Sequence, residues 1–268
     1  MIYYLSEGEK MKQYFRNFFK YRYLVGDLIV RDLKIKYRRS VLGFAWSILN
    51  PLLMMLVITA VFQNLFKSDI ENFPIYYLTG YLLFSFITES TTLAMSSVIS
   101  SSSLIKKVYI PKYIFPLEKC LFSFVNMLLS FIAVIIVMLI LGAEFYATFF
   151  LFLIPMLFAL VFSIGLGLFL ASATVFFRDI IHLYSVVTVA WMYLTPIFYP
   201  MEILPDFMFT VLSFNPLYHF VLYFRALIMM GHVPDLRTNL ICAGFSLIML
   251  FVGMIFFKKN QDKFILYM

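Results

Sequence analysis

The sequence predicts an all-α integral membrane protein: six transmembrane helices, an N-terminal interfacial amphipathic helix, and a re-entrant hairpin before the last span. Three observations lead there. Of 268 residues, 63% are hydrophobic and only 13% charged, a composition that a bilayer can accommodate and a soluble core cannot. Between Val41 and Phe257 the apolar residues form runs of about 20, the length a helix needs to cross ~30 Å of hydrocarbon. Lys and Arg crowd to one side of those runs. Hydrocarbon tolerates only helices or closed barrels, because backbone polar groups must pair within the protein. Barrel strands would be half as long and would alternate in polarity, which these runs do not.

The spans are expected at 41–66, 75–97, 117–141, 149–177, 181–199 and 238–257. Of the 21 Lys and Arg, all but Lys67, Arg225 and Arg237 then fall on the side that holds both termini. The positive-inside rule places that side in the cytoplasm. The net charge of +7 therefore reads as membrane orientation and contact with anionic headgroups, not as nucleic-acid binding. The first 40 residues lack the apolar stretch of a signal peptide, so no cleavage is expected. Without an internal repeat or a Gly/Ser linker, residues 1–268 read as one transmembrane domain.

Residues 206–230 are apolar enough to suggest a seventh span. A seventh crossing would carry Lys258, Lys259 and Lys263 outside. Asn215-Pro216 also cuts the stretch, since a residue before proline is steered away from the helical region. Two half-length helices, within an extracytoplasmic segment 201–236, fit better as a re-entrant hairpin.

Residues 11–39 read as two interfacial helices. In the first, Met11, Tyr14, Phe15, Phe18, Tyr21 and Val25 make an apolar stripe opposite Lys12, Arg16 and Lys20. Gly26 is placed to end that helix and Asp27 to cap the next. The second carries Arg31, Lys34 and Arg38 along one side, with Lys36 and Arg39 nearby. Two readings fit: an orientation anchor gripping anionic lipid, or a landing site for a phosphate-bearing substrate, whose oxygens suit Arg and Lys.

The loop near 98–116 opens with the run Ser100–Ser103 and lies between the second and third spans. It then presents Leu104, Ile105, Lys106, Lys107, Val108 and Tyr109 before Pro111. A plain connector has no use for exposed Leu104, Ile105, Val108 and Tyr109; a helix docking a cytoplasmic partner does.

Within the spans, Glu89 is the acidic residue set deepest, among Ser85, Thr88, Ser90, Thr91 and Thr92. Intramembrane acids face cavities or partners, so Glu89 reads either as the wall of a transport path or as packing glue between helices. Trp46, Phe62, Trp191, Tyr193, Phe198 and Tyr199 can line such a path; they can also be core or lipid-facing. Pro51 and Pro196 are expected to kink the first and fifth spans. Arg178 and Asp179 close the fourth span, as a solvated helix-end pair or as part of a cytoplasmic entrance. His182, His219 and His232 are scattered, and Cys120 and Cys242 lie far apart in apolar surroundings, so no metal site is expected. A membrane prenyl or glycosyl transferase would need clustered acids for a metal–diphosphate complex. Asp27 and Asp32 sit five apart among basic residues, which speaks against that alternative.

These residues also carry a family resemblance. The run from Val30 through Arg31-Asp32-Leu33-Lys34-Ile35-Lys36-Tyr37-Arg38-Arg39 to Gly43-Phe44-Ala45-Trp46, with Asn50-Pro51-Leu52, resembles the N-terminal signature of polysaccharide-exporting ABC transporter permeases, the type-2 exporters of O-antigen, capsule and teichoic acid. Leu104-Ile105-Lys106-Lys107-Val108-Tyr109-Ile110-Pro111 looks like their coupling segment. Phe177-Arg178-Asp179-Ile180, Trp191 and Thr195-Pro196-Ile197-Phe198-Tyr199-Pro200 resemble their fourth-to-fifth-span block, although Thr195 stands where Ser is commoner. Asn215-Pro216-Leu217 and Tyr223-Phe224-Arg225 resemble their gate region, which marks Asn215, Pro216 and Arg225 as gate residues. The resemblance spans nearly the whole chain. It implies a homodimer with two ATP-binding cassette subunits, moving an undecaprenyl-diphosphate-linked glycan outward through the bacterial cytoplasmic membrane. The alternative within the same fold is a permease for drugs or lipids. No Gly-x-x-x-x-Gly-Lys-Ser/Thr loop occurs among the ten glycines, so ATP and Mg are expected on a partner subunit and no cofactor in this chain.

Overall fold

The computed structural model describes residues 7–38, 40–64 and 70–267, and these are helical with no strand among them. In chain order the helices are α1 (Glu7–Tyr37), α2 (Trp46–Asn64), α3 (Phe73–Ser100), α4 (Ser102–Ile105), α5 (Ile114–Leu141), α6 (Leu153–Phe176), α7 (Ile180–Tyr193), α8 (Asp206–Ser213), α9 (Pro216–Ile228), α10 (Leu236–Asn260) and α11 (Phe264–Tyr267). Five segments are long and apolar enough to cross a membrane: Gly43–Gln63, Phe73–Ser100, Ile114–Leu141, Ala147–Phe176 and Leu236–Tyr267.

Side-chain contacts define two ends of the bundle. At the basal end Val98, Phe115, Phe257 and Phe264 form one cluster, and Lys112 bonds the Gln261 carbonyl at 2.5 Å. At the opposite end Tyr76 meets the 196–199 segment, and Thr148 bonds the Leu227 carbonyl at 2.8 Å. α3 is the central rod. Of its most apolar stretch 61% is buried, against 11% for α2. The side chains of α2 are as apolar as those of α3, so burial within one chain does not use them. Leu53, Leu56 and Val57 on α2, and Leu183, Val186 and Val189 on α7, stay exposed.

α6 and α10 touch backbone to backbone. A Cβ added to Gly253 would lie 2.0 Å from the Gly165 carbonyl oxygen, and one added to Gly165 would lie 2.4 Å from the Met249 carbonyl. Lipid tails provide no hydrophobic drive between helices, so close approach of small residues supplies the packing instead. Ser246 adds a hydrogen bond to the Phe158 carbonyl across the same interface, 2.8 Å.

Two expectations need correction. The N-terminal region is one unbroken helix, not two joined at Gly26 and Asp27. A glycine inside a helix costs only about 1 kcal/mol, and Val25 and Leu28 on either side of it are buried in one cluster with Ile114. That shared packing holds the helix through the weak point. The apolar stripe expected at 11–18 falls on residues whose side chains lie outside those described.

The fifth span is also shorter than expected. α7 has 14 residues, about 21 Å at ~1.5 Å per residue, short of ~30 Å of hydrocarbon. It ends before Thr195-Pro196 instead of kinking there, because proline disfavours helical geometry in the residue it follows. The chain continues to the opposite end without helical structure from Thr195 to Pro200. In contrast, Pro51 lies inside α2 as expected. The break at Asn215-Pro216 is also present: α8 and α9 meet at 96°.

Substituting Gly253 by valine forces α6 and α10 apart. Overpacking a tight contact costs about 2 kcal/mol, and here the clash is with backbone. Gly253→Val is expected to lower the thermal midpoint of the detergent-solubilised protein by several degrees, read by size-exclusion chromatography after heating, whereas Gly244→Val, at a position with open space around it, should leave it near wild type.

Candidate functional site

A cavity of about 560 Å³ opens between the C-terminal end of α1 and helices α2, α3 and α5. Its wall is polar: Lys36, Tyr37 and Ser40 from the α1 end, Trp46, Ser47 and Asn50 from α2, Tyr81, Ser85 and Glu89 from α3, and Asn126 and Ser130 from α5. The helix periods explain the assembly. Tyr81, Ser85 and Glu89 are spaced by four on one face of α3, as Asn126 and Ser130 are on α5.

One hydrogen-bond network ties the four elements together. Lys36 Nζ lies 2.7 Å from Glu89 Oε1. Asn126 Nδ2 donates to Glu89 Oε2 at 3.4 Å. The other atom of that amide, Asn126 Oδ1, accepts from Tyr37 Oη at 2.7 Å and from Ser47 Oγ at 2.9 Å, and Tyr37 also contacts Ser47. Ser130 Oγ bonds the Ser47 carbonyl at 2.8 Å. Lys36 further sits 5.5 Å from the Phe122 ring centre, within cation–π range. Such a wall offers hydroxyls, an amide and an aromatic face to a sugar, and one cation to an anion.

The predicted basic residues divide. Among the described ones, only Lys36 lines the cavity. Arg31 bonds Asp32 at 2.8 Å, and Lys34 in α1 and Arg38 just after it are exposed; Arg39 lies outside the described residues. Asp32, one turn before Lys36, docks α1 onto α5 through Lys119. Burial works against its carboxylate, but the hydrogen bonds from Lys119 and Arg31 outweigh that and hold its pKa below the ordinary carboxylate range.

The predicted channel residues divide as well. Trp46 and Glu89 line the cavity. Phe62 stacks on Phe73 and meets Phe198 at a tilt, and Phe198 packs edge-on with Tyr193 and Tyr199, forming an aromatic patch where α2, α3 and α7 end. Tyr199 Oη bonds the Tyr193 carbonyl at 2.8 Å. Trp191 packs edge-on to Phe162 and donates its indole N–H to Asn215 Oδ1 at 2.7 Å, so it is a structural tie.

That tie belongs to the broken region. Asn215 caps α9 by accepting from the Leu217 and Tyr218 amides, and its Nδ2 donates to Thr195 Oγ1 at 2.9 Å. Arg225 is 2% exposed, a burial that a cation tolerates only when hydrogen-bonded. Its guanidinium bonds the carbonyls of Pro196 at 2.8 Å, Tyr76 at 3.0 Å and Ile197 at 3.3 Å, and lies over the Tyr76 ring. Tyr76 Oη in turn bonds the Tyr199 carbonyl at 2.9 Å. A Cβ on Gly80 would come within 2.9 Å of the Arg225 guanidinium, so glycine leaves the space. The carbonyls freed where α7 stops are thereby paired without water.

At the basal end α4 and the turn after it differ from expectation. Ile105 is buried with Val98, Phe115 and Phe257, and Leu104 packs partly against the same cluster. A four-residue helix has too little surface to present every apolar side chain outward, and its inner side finds the core. Lys106, Lys107, Val108 and Tyr109 are exposed, Tyr109 at 94%. Arg178 and Asp179 are exposed in the turn between α6 and α7. No group of three or more His, Cys, Asp or Glu able to hold a metal occurs among the described residues.

The profile of ABC-2 type transporter membrane domains matches residues 23–229, which takes in α2 to α9 and the whole cavity wall. The chain belongs to the ABC-2 type transporter family. This ABC-2 protein is 29% identical over 255 residues to the O-antigen export system permease protein RfbA of Myxococcus xanthus, covering 93% of the chain and 96% of that relative. It is similarly 29% identical to the RfbA permease of Klebsiella pneumoniae, over 91% of the chain and 97% of the relative. The polysialic acid transport protein KpsM of Escherichia coli is 22% identical, over 88% of the chain and 92% of its own length.

The residues missed in the sequence were Tyr37, Ser47, Asn126 and Tyr76. Asn126 carried a signal, an amide deep in an apolar span; Tyr37 and Tyr76 were hidden among 18 tyrosines. Replacing Arg225 by methionine keeps the length and removes the donors. Each buried carbonyl left unbonded costs about 1–3 kcal/mol, so Arg225→Met is expected to aggregate or melt well below wild type in detergent. Arg225→Lys should recover only part of the loss, since one ammonium nitrogen cannot occupy the positions of both guanidinium nitrogens that reach these carbonyls.

Proposed function

We propose that this chain is the permease subunit of an ABC exporter that carries a lipid-linked polysaccharide, of the undecaprenyl-diphosphate type, across the bacterial cytoplasmic membrane. The observation that carries this reading is its end-to-end similarity to permeases named for O-antigen and polysialic acid export. The cavity supports it: hydroxyls, an amide and Trp46 suit sugars, and Lys36 suits a phosphate.

The basal end faces the cytosol in this reading, with both termini there, which the distribution of Lys and Arg supports. ATP is hydrolysed, with Mg, on a separate ATP-binding subunit. The exposed turn Lys106–Tyr109 is the surface offered to it, braced from behind by Ile105 and Phe264. Two copies of the permease pair through the exposed apolar faces of α2 and α7, so that two cavities and two aromatic patches border one path. Arg178 and Asp179 stand at its cytoplasmic mouth, and the α8–α9 hairpin with Asn215, Pro216 and Arg225 borders its outer end.

Deleting the gene tests the function. Cells without the chain are expected to lose the surface glycan and to accumulate its lipid-linked form on the cytoplasmic face, both measured by extraction and labelling before and after complementation. A normal surface glycan would reject the reading. Tyr109→Glu places a charge on the exposed turn. It is expected to reduce co-purification of the ATP-binding partner and export by more than half, while the permease itself stays inserted and monodisperse.

A further inference from the structure

We infer that Lys36 and Glu89 form an ion-pair latch across the mouth of the cavity, which the diphosphate of the arriving lipid opens by taking Lys36 from Glu89. This rests on the lipid-diphosphate reading of the function.

Three features carry the inference. First, the pair joins parts of the chain 53 residues apart: the end of α1 and the middle of α3. Glu89 is the single charged residue in α3, and Lys36 is the cation of α1 that reaches the cavity. Second, the pair is poised to open. Its side chains are 34% and 35% exposed, and ion pairs so wetted are weak, so a doubly charged anion outcompetes one carboxylate. Third, Glu89 feeds a node shared by all four walls. Its other oxygen accepts from Asn126, whose carbonyl oxygen holds Tyr37 and Ser47. Release of Lys36 leaves Glu89 with one long hydrogen bond at 3.4 Å and a like-charged diphosphate beside it. Repulsion between the two pushes the end of α1 away from α3, which widens the mouth. The latch therefore holds the mouth of an empty cavity narrow and widens it for an anion, not for a neutral lipid.

Binding of undecaprenyl diphosphate to the full-length protein in neutral phosphatidylcholine nanodiscs, read by native mass spectrometry, tests this. Glu89→Gln frees Lys36 with almost no change in shape and is expected to tighten binding three- to tenfold. Lys36→Gln is expected to weaken it by a similar factor. The decisive form is Lys36→Gln with Glu89→Gln: the gain from Glu89→Gln should vanish, because the carboxylate competes only through Lys36. An equal gain in the Lys36→Gln background would make Glu89 a general repeller and overturn the latch. Weaker binding by Glu89→Gln, with monodisperse protein, would make Glu89 a direct ligand and overturn it too; Glu89→Ala repeats the comparison should the glutamine form misfold. Loss of the Glu89→Gln gain when phosphatidylglycerol is added would assign Lys36 to bulk anionic headgroups and also overturn it. Failure of every form, wild type included, to bind the diphosphate lipid would instead remove the substrate reading itself.

Discussion

Backbone carbonyls in hydrocarbon must find donors within the protein, and the bundle is organised around the place where a helix does not supply them. α7 stops short of the opposite end. The chain from Thr195 to Pro200 then runs without helical bonds past the head of α3. Arg225 reaches in from α9 and binds Pro196 and Ile197, while Tyr76 takes Tyr199. The same guanidinium binds a carbonyl of α3. One buried cation therefore pins α3, the end of α7 and α9 to each other. Asn215 makes a second such joint from the other side, to Trp191 and Thr195. An irregular backbone at membrane depth is stable only when covered in this way.

The cavity lies toward the basal end from that joint, and its chemistry contrasts with it. The joint is buried, and its polar groups are paired within the protein except Arg225 Nε. The cavity wall keeps Lys36 and Glu89 partly wetted, in front of the buried, mutually bonded Tyr37, Ser47 and Asn126. A transport path needs groups that bind without holding, and half-solvated hydrogen bonds of this kind exchange partners readily. Apolar side chains on α2 and α7 are left exposed by the chain's own packing.

Five of the six expected spans were legible because apolar runs of fixed length leave few alternatives; the fifth was not, because Thr195-Pro196 ends α7 early. The break at Asn215-Pro216 was legible because proline acts locally. What escaped was set by tertiary contacts. Gly26 and Asp27 carry the local signature of a helix boundary, yet packing of Val25 and Leu28 on Ile114 overrides it. Ile105 looked like a docking residue because its burial depends on Phe115 and Phe257, far away in sequence. Arg225 was picked out by its motif, but nothing in the order of residues says that its partners are carbonyls at positions 76, 196 and 197. Among the basic residues of α1, the helical repeat grouped Arg31, Lys34 and Arg38, whereas the cavity takes Lys36 from the neighbouring face.

The contact of Gly165 with Gly253 has a mechanical consequence. Two rods joined main chain to main chain cannot slide without collision, so α6 and α10 behave as a keel. α1, α2 and α7, which touch the rest of the chain far less, are left as the less constrained parts. Any widening of the passage is thus borne by the rim, and the keel holds its shape from one stroke to the next.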